Sequence, residues 1–161
     1  MKKTTGLSLI FIIICAISML MVAGCGESKS GNTIDEPDIT VEYLTDEYSQ
    51  QLITDGAGTM LGFVSLEKSG DSYTAHITEK EVVASSAYSD GYYIADTNVS
   101  LDATLGSDAR LTFMDDDAEV ITADEFIERQ DDDSEQLYMV YLMGDSAELV
   151  LAVDPSSVIS E

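Results

Sequence analysis

From Thr59 onward several runs of the chain alternate between apolar and polar residues, and this period of two constrains its fold more than any other feature. In a strand successive side chains point to opposite faces, so Tyr73, Ala75 and Ile77 are expected on one face, with Thr74, His76 and Thr78 on the other. The same pattern returns in Val99, Leu101, Ala103 and Leu105, separated by Ser100, Asp102 and Thr104. Turn residues punctuate it. Ser69-Gly70-Asp71 separates strands over Met60 to Lys68 and Ser72 to Ala84, Asp90-Gly91 precedes a strand from Tyr92, and Gly106-Ser107-Asp108 marks a further break before Leu111 to Phe113. Gly144-Asp145-Ser146 joins the clearest pair, Gln136 to Met143 and Ala147 to Val153.

Two segments carry helical spacing instead. Val41, Leu44, Tyr48 and Leu52 fall on one face of a helix started near Asp38 or Thr40 and stopped by Gly56. After a short extended piece at Glu119 to Ile121, Thr122-Ala123-Asp124-Glu125 has the form of a capping box and opens a brief helix with Phe126 and Ile127, ended by the acidic run Asp131 to Asp133. The expected fold is therefore α+β and mostly β. It is a small curved antiparallel sheet or a partly closed, OB-like barrel, with one N-terminal helix plugging an end and one short late helix.

Before all this lies a different kind of segment. Lys2 and Lys3 precede an apolar run from Leu7 to Val22, interrupted by Ser8 and Ser18 and followed by Ala23, Gly24 and Cys25. A basic start, a short apolar stretch and small residues are the form of a secretory signal peptide, and the run is at the short edge of what spans a bilayer. Val22-Ala23-Gly24-Cys25 resembles the lipobox of bacterial lipoproteins. That resemblance implies a covalent lipid on the Cys25 sulfur, cleavage of the Gly24–Cys25 bond and an extracytoplasmic domain held to the cell membrane by its acylated N-terminus. The chemistry is consistent with the pattern, since a thiolate is the strongest nucleophile among these side chains. The expected organisation is a signal peptide over residues 1–24, the acylated cysteine and a flexible Gly/Ser-rich tether over 25–37, and one acidic β-rich domain over 38–161. The tether would reach about 20 Å as a random coil. Position 26 is Gly, whereas in the family an aspartate there would suggest retention at an inner membrane.

Charge then limits the partners. The chain has 31 Asp and Glu against seven Lys and Arg, a net charge of −24, and loss of Lys2 and Lys3 with the leader takes it to −26. No surface of this composition neutralises phosphates, so nucleic acid is excluded as a partner. An envelope protein, a wall component, a basic surface or a metal cation fits better. The two cysteines are Cys15 and Cys25, so the folded domain has neither a disulfide framework nor a free thiol once Cys25 is acylated.

Chemistry-bearing constellations are few. Asp96, Asn98, Ser100 and Asp102 occupy positions 1, 3, 5 and 7 of a would-be calcium loop, but position 6 is Leu101 and position 12 is Ser107, where glycine and glutamate are needed. An exposed strand face gives the same spacing, and no calcium or other cofactor is expected. The triplets Asp115-Asp116-Asp117 and Asp131-Asp132-Asp133 are at most weak cation sites and are read as solvated loops. His76 is the only histidine, and no nucleophile elbow or phosphate-binding glycine loop occurs. The expectation is a non-enzymatic binding or structural module. Its alternatives are a surface hydrolase of wall glycan or peptide using a carboxylate pair, and a weak divalent-cation binder. A solute receptor with two lobes would need a longer chain. The candidate binding surface is the aromatic cluster Tyr88, Tyr92 and Tyr93, since tyrosines around a turn offer area with a polar tip.

Overall fold

The structure, a computed structural model, describes residues 39–131 and 135–159. The expectations at Gly24, Cys25, Asp132 and Asp133 lie outside these residues. Helix α1 runs through Val41–Tyr43, a π-type stretch Leu44–Tyr48 and Ser49–Thr54. The strands are β1 (Gly58–Ser69), β2 (Ser72–Ala84), β3 (Tyr92–Met114), β4 (Ala118–Ile121), β5 (Leu137–Met143) and β6 (Ser146–Val153), with helix α2 (Ala123–Arg129) between β4 and β5. No helix among the described residues is long and apolar enough to cross a membrane.

The strands form one six-stranded sheet in the order β2-β1-β5-β6-β3-β4, and β2 pairs again with β3. That last pairing makes a ring of β1, β2, β3, β6 and β5, with β4 outside it. The expected OB-like barrel is thus the observed architecture. All pairings are antiparallel except β3 with β6, which runs parallel through Thr104–Ser146 and Leu105–Ala147. One 23-residue strand serves both neighbours: its first half pairs with β2, as in Ala103 with Ala75, and its end pairs with β4, as in Phe113 with Glu119. The expected break at Gly106 to Asp108 is a bend in β3, where the register against β6 shifts between Leu105 and Arg110.

Gly62 stands where β1 has neighbours on both edges, opposite Glu79 on β2 and Tyr138 on β5. A Cβ there would come 2.3 Å from the Thr78 carbonyl oxygen, so only glycine allows the strands to coil this tightly.

Inside the ring, alternation does what the sequence predicts. Val64 and Leu66 from β1, Ala75 and Ile77 from β2, Ala103, Leu111 and Phe113 from β3, and Tyr138, Val140, Ala147 and Val150 from the last hairpin form one core. Phe126 of α2 completes it. Fully buried, its ring lies 5.7 Å from Phe113, edge to face, and 5.3 Å from Tyr138. The predicted capping box starts this helix: the Glu125 amide donates to Thr122 Oγ1 at 3.2 Å, and the Thr122 amide donates to the Glu125 carboxylate at 2.8 Å.

It is therefore α2 that supplies the barrel's helical plug. Helix α1, expected in that place, covers the outer face of the β5–β6 hairpin, where Leu44 and Leu52 are buried with Tyr141, Leu149 and Leu151. The other face of the hairpin packs into the core through Tyr138, Val140, Ala147 and Val150, so apolar residues are needed on both faces, which explains the unbroken run Leu137 to Met143. Thr40 caps α1, its hydroxyl accepting from the Tyr43 amide at 3.2 Å, and Gly56 ends it at φ 98°.

Candidate functional site

The β2–β3 connection puts two of the three candidate tyrosines together. Loop residues 85–91 are tied by their own backbone: the Ser85 amide donates to the Gly91 carbonyl at 2.7 Å, and the Gly91 amide to the Tyr88 carbonyl at 3.1 Å. Gly91 takes φ 81°, a conformation that glycine adopts without strain. Tyr88 stacks on Tyr93 with centroids 5.5 Å apart and planes 30° from parallel. Both are exposed, Tyr88 at 57% and Tyr93 at 39%. Tyr92 does not join them. One position along the strand, opposite Ala84, it falls on the other face and is half-buried.

The second constellation was only partly legible. His76 sits on the outward face of β2, opposite Asp102 on β3 and Ser65 on β1. Its Nδ1 is 2.7 Å from Asp102 Oδ1 and its Nε2 is 3.4 Å from Glu67 Oε2, so one imidazole bridges three strands. The hydrogen bond to Asp102, then the contact with Glu67, raises its pKa against the opposing effect of burial. A groove of about 250 Å³ lies beside it, lined by Phe63, Ser65, His76, Thr78, Gln130 and Asp131. The alternation placed His76 outward, but its partners 26 positions later and nine positions earlier in the chain follow from strand register.

The sign of the linkage follows from the raised pKa. Stability from this bridge is fully present below the unfolded value of about 6.5 and is lost as pH rises through the higher folded value. At 41% side-chain exposure the effect is small, a few tenths of a kcal/mol by the standard of exposed pairs. Melting wild type and His76→Asn in parallel should show a Tm difference near about pH 6 that shrinks toward about pH 9. A difference independent of pH would refute the bridge.

All four would-be calcium ligands lie in β3, and the two aspartates are engaged elsewhere. Asp96 pairs with Lys80, whose ammonium also lies 4.6 Å from the Phe63 ring centroid, and Asp102 holds His76. Asp115, Asp116 and Asp117 are exposed in the β3–β4 turn, and Asp115 lies 3.6 Å from Arg129, which also bonds Glu119. Asp131 is exposed just after α2. Among the described residues no three His, Cys, Asp or Glu side chains converge in a way that would hold a metal ion.

The shifted carboxylates all move the same way. Asp124 is lowered by its hydrogen bonds from Lys68 and Tyr73, Glu125 by the Thr122 cap, and Asp154, itself a cap, by the hydrogen bonds it accepts from Ser156. That direction suits structural acceptors and is the reverse of what a proton-donating acid of a glycosidase pair requires. Burial, in contrast, pushes up the phenols of Tyr48 and Tyr138. Compared with family models, curated proteins and solved structures, the chain has no match.

Proposed function

We propose that this chain is a membrane-anchored extracytoplasmic lipoprotein whose barrel is a non-enzymatic binding module for a protein or wall component of the cell envelope. The address rests on the leader, from Lys2 and Lys3 to Val22-Ala23-Gly24-Cys25. The binding role rests on one observation, the exposed Tyr88–Tyr93 stack. The stack contributes about 1 kcal/mol to the fold, and it leaves much of its apolar area in water. Such a pair is instead what an interface centre requires, because its area is rigid and its desolvation on contact is favourable.

Isolated envelope and wall fractions should retain the wild-type domain, and Tyr88→Ala with Tyr93→Ala should reduce retention by about tenfold, in line with the loss of a hot-spot pair. Since both side chains are exposed, the double variant should lose no more than the stack contributes, about 1 kcal/mol, and stay folded at the assay temperature. Unchanged retention would remove the tyrosines from the binding surface.

The His76–Asp102 contact is the one observation favouring the alternative hydrolase, because an aspartate on Nδ1 is how a histidine general base is oriented. In this chain Nε2, the atom such a base would use, faces Glu67 instead of a nucleophile. The binding reading stands ahead of it for that reason.

A further inference from the structure

A second cleft lies at the far end of β2 from the tyrosine loop. It measures about 430 Å³ and is walled on one side by Asp71, Ser72 and Tyr73 and on the other by Thr104, Ser107 and Ala109. The bend of β3 creates it: with the register against β6 shifting between Leu105 and Arg110, the intervening backbone bows away from its neighbour. The volume falls in the range of about 300 to 1,000 Å³ typical of small-ligand sites.

From this groove we infer a saccharide-binding site for neutral or amino sugars. A sugar ring presents an apolar face of C–H groups and an edge of hydroxyls, so it is recognised by an aromatic ring together with short hydroxyl and carboxylate side chains. All three are here. The Tyr73 ring is fixed before any ligand arrives, because its phenol donates to Asp124 Oδ1 at 2.9 Å while Lys68 lies 5.0 Å from the ring centroid and bonds the same carboxylate at 2.7 Å. An aromatic platform held in this way loses little rotamer freedom when a sugar stacks on it. Ser107 supplies a hydroxyl, and Asp71 supplies a carboxylate that accepts from sugar hydroxyls.

Charge selects among sugars. No lysine or arginine lines the groove, and Lys68 behind Tyr73 is neutralised by Asp124. A phosphorylated or uronic-acid polymer would bring its anions against Asp71 and a strongly acidic domain, whereas an amine would gain an ion pair. The site does not depend on the Tyr88–Tyr93 stack. Ser72 and Ala84 mark the two ends of β2, which at about 3.3 Å per residue are some 40 Å apart along the strand.

The test is amide NMR of the full chain titrated with an N-acetylglucosamine trimer, with its de-acetylated amino counterpart and with a uronic-acid trimer. Saturable shifts are expected at Tyr73, Thr104 and Ser107 for the first two probes and none for the third. Ser107 is exposed, so Ser107→Trp should fill the groove without disturbing the fold and weaken binding at least tenfold. Tyr73→Ala should do the same, and should it fail to fold, Ser107→Trp still decides the matter. Tyr88→Ala with Tyr93→Ala should leave the titration unchanged, which separates this site from the tyrosine surface. The inference is overturned by absent shifts, by undiminished binding in Ser107→Trp, by shifts confined to the tyrosine loop, or by preference for the uronic-acid trimer.

Discussion

Phe126→Ala should cost about 3 to 5 kcal/mol, the largest loss expected from any single side-chain truncation in the domain. Phe126 is the largest of the fully buried side chains and the only one of α2 that is buried. Its ring meets Phe113 at the end of β3 and Tyr138 on β5, so it joins strands that flank it in sequence and are not paired with each other in the sheet. Removing it exposes no surface that the neighbours can readily cover, because those neighbours are strands fixed by their ladders. The cavity persists, and the cost of its lost contacts adds to the lost transfer energy. Against a typical total of about 5 to 15 kcal/mol, this is a third or more of the stability. In a domain of this size Tm should fall by at least about 10 °C, whereas Phe126→Leu, which keeps most of the volume, should lose less than half as much. A fall of only a degree or two in Phe126→Ala would mean that α2 does not close the barrel.

That plug shows what was legible in the sequence. The Thr122 to Glu125 box announces a helix, and Phe126 follows as its first large apolar residue, so existence and start were readable from local chemistry. Where the helix docks was not, because that depends on contacts with residues such as Phe113 and Tyr138 that lie outside its own segment. The plugging role expected of the N-terminal helix accordingly falls to α2, and α1 covers the β5–β6 hairpin. One signal pointed to this arrangement. A strand with one wet face alternates, whereas Leu137-Tyr138-Met139-Val140-Tyr141-Leu142-Met143 is apolar at every position and so must be covered on both sides.

Local turn chemistry also misled at one point. Gly106, Ser107 and Asp108 are turn formers, and read locally they divide β3. Long-range pairing overrides them: β2 holds the strand before the bend, β4 holds it after, and β6 pairs with it on both sides, so the chain bends without ending the strand. Gly106 suits this path because a Cβ there would meet the Glu148 carboxylate at 2.5 Å. The candidate surface divides along the same line. Spacing found the tyrosines, but only the folded loop shows that Tyr88 stacks on Tyr93, while Tyr92, opposite Ala84, falls on the other face.

Cys25→Ser should abolish lipid labelling altogether and leave a precursor longer by the leader. A serine hydroxyl has a far higher pKa than a thiol and forms no thioether, so the diacylglyceryl group has no acceptor. In lipoproteins acylation precedes cleavage, and the variant is expected to keep residues 1–24. Pelleting with membranes is then a poor measure, because the retained apolar run from Leu7 to Val22 holds the precursor in the bilayer by itself. The decisive readings are the label and the chain length. Each buried methylene contributes about 0.8 kcal/mol and a single chain binds only reversibly, so stable attachment of the processed wild type needs two or more chains. The domain does not assist. On the proposed processing its charge would be −26, which anionic headgroups would repel, leaving the lipid alone to hold it at the surface. Cys15→Ser, inside the removed segment, should label and mature like wild type. Labelling that survives Cys25→Ser, or that is lost in Cys15→Ser, would place the lipid elsewhere and withdraw the membrane address on which the binding role depends.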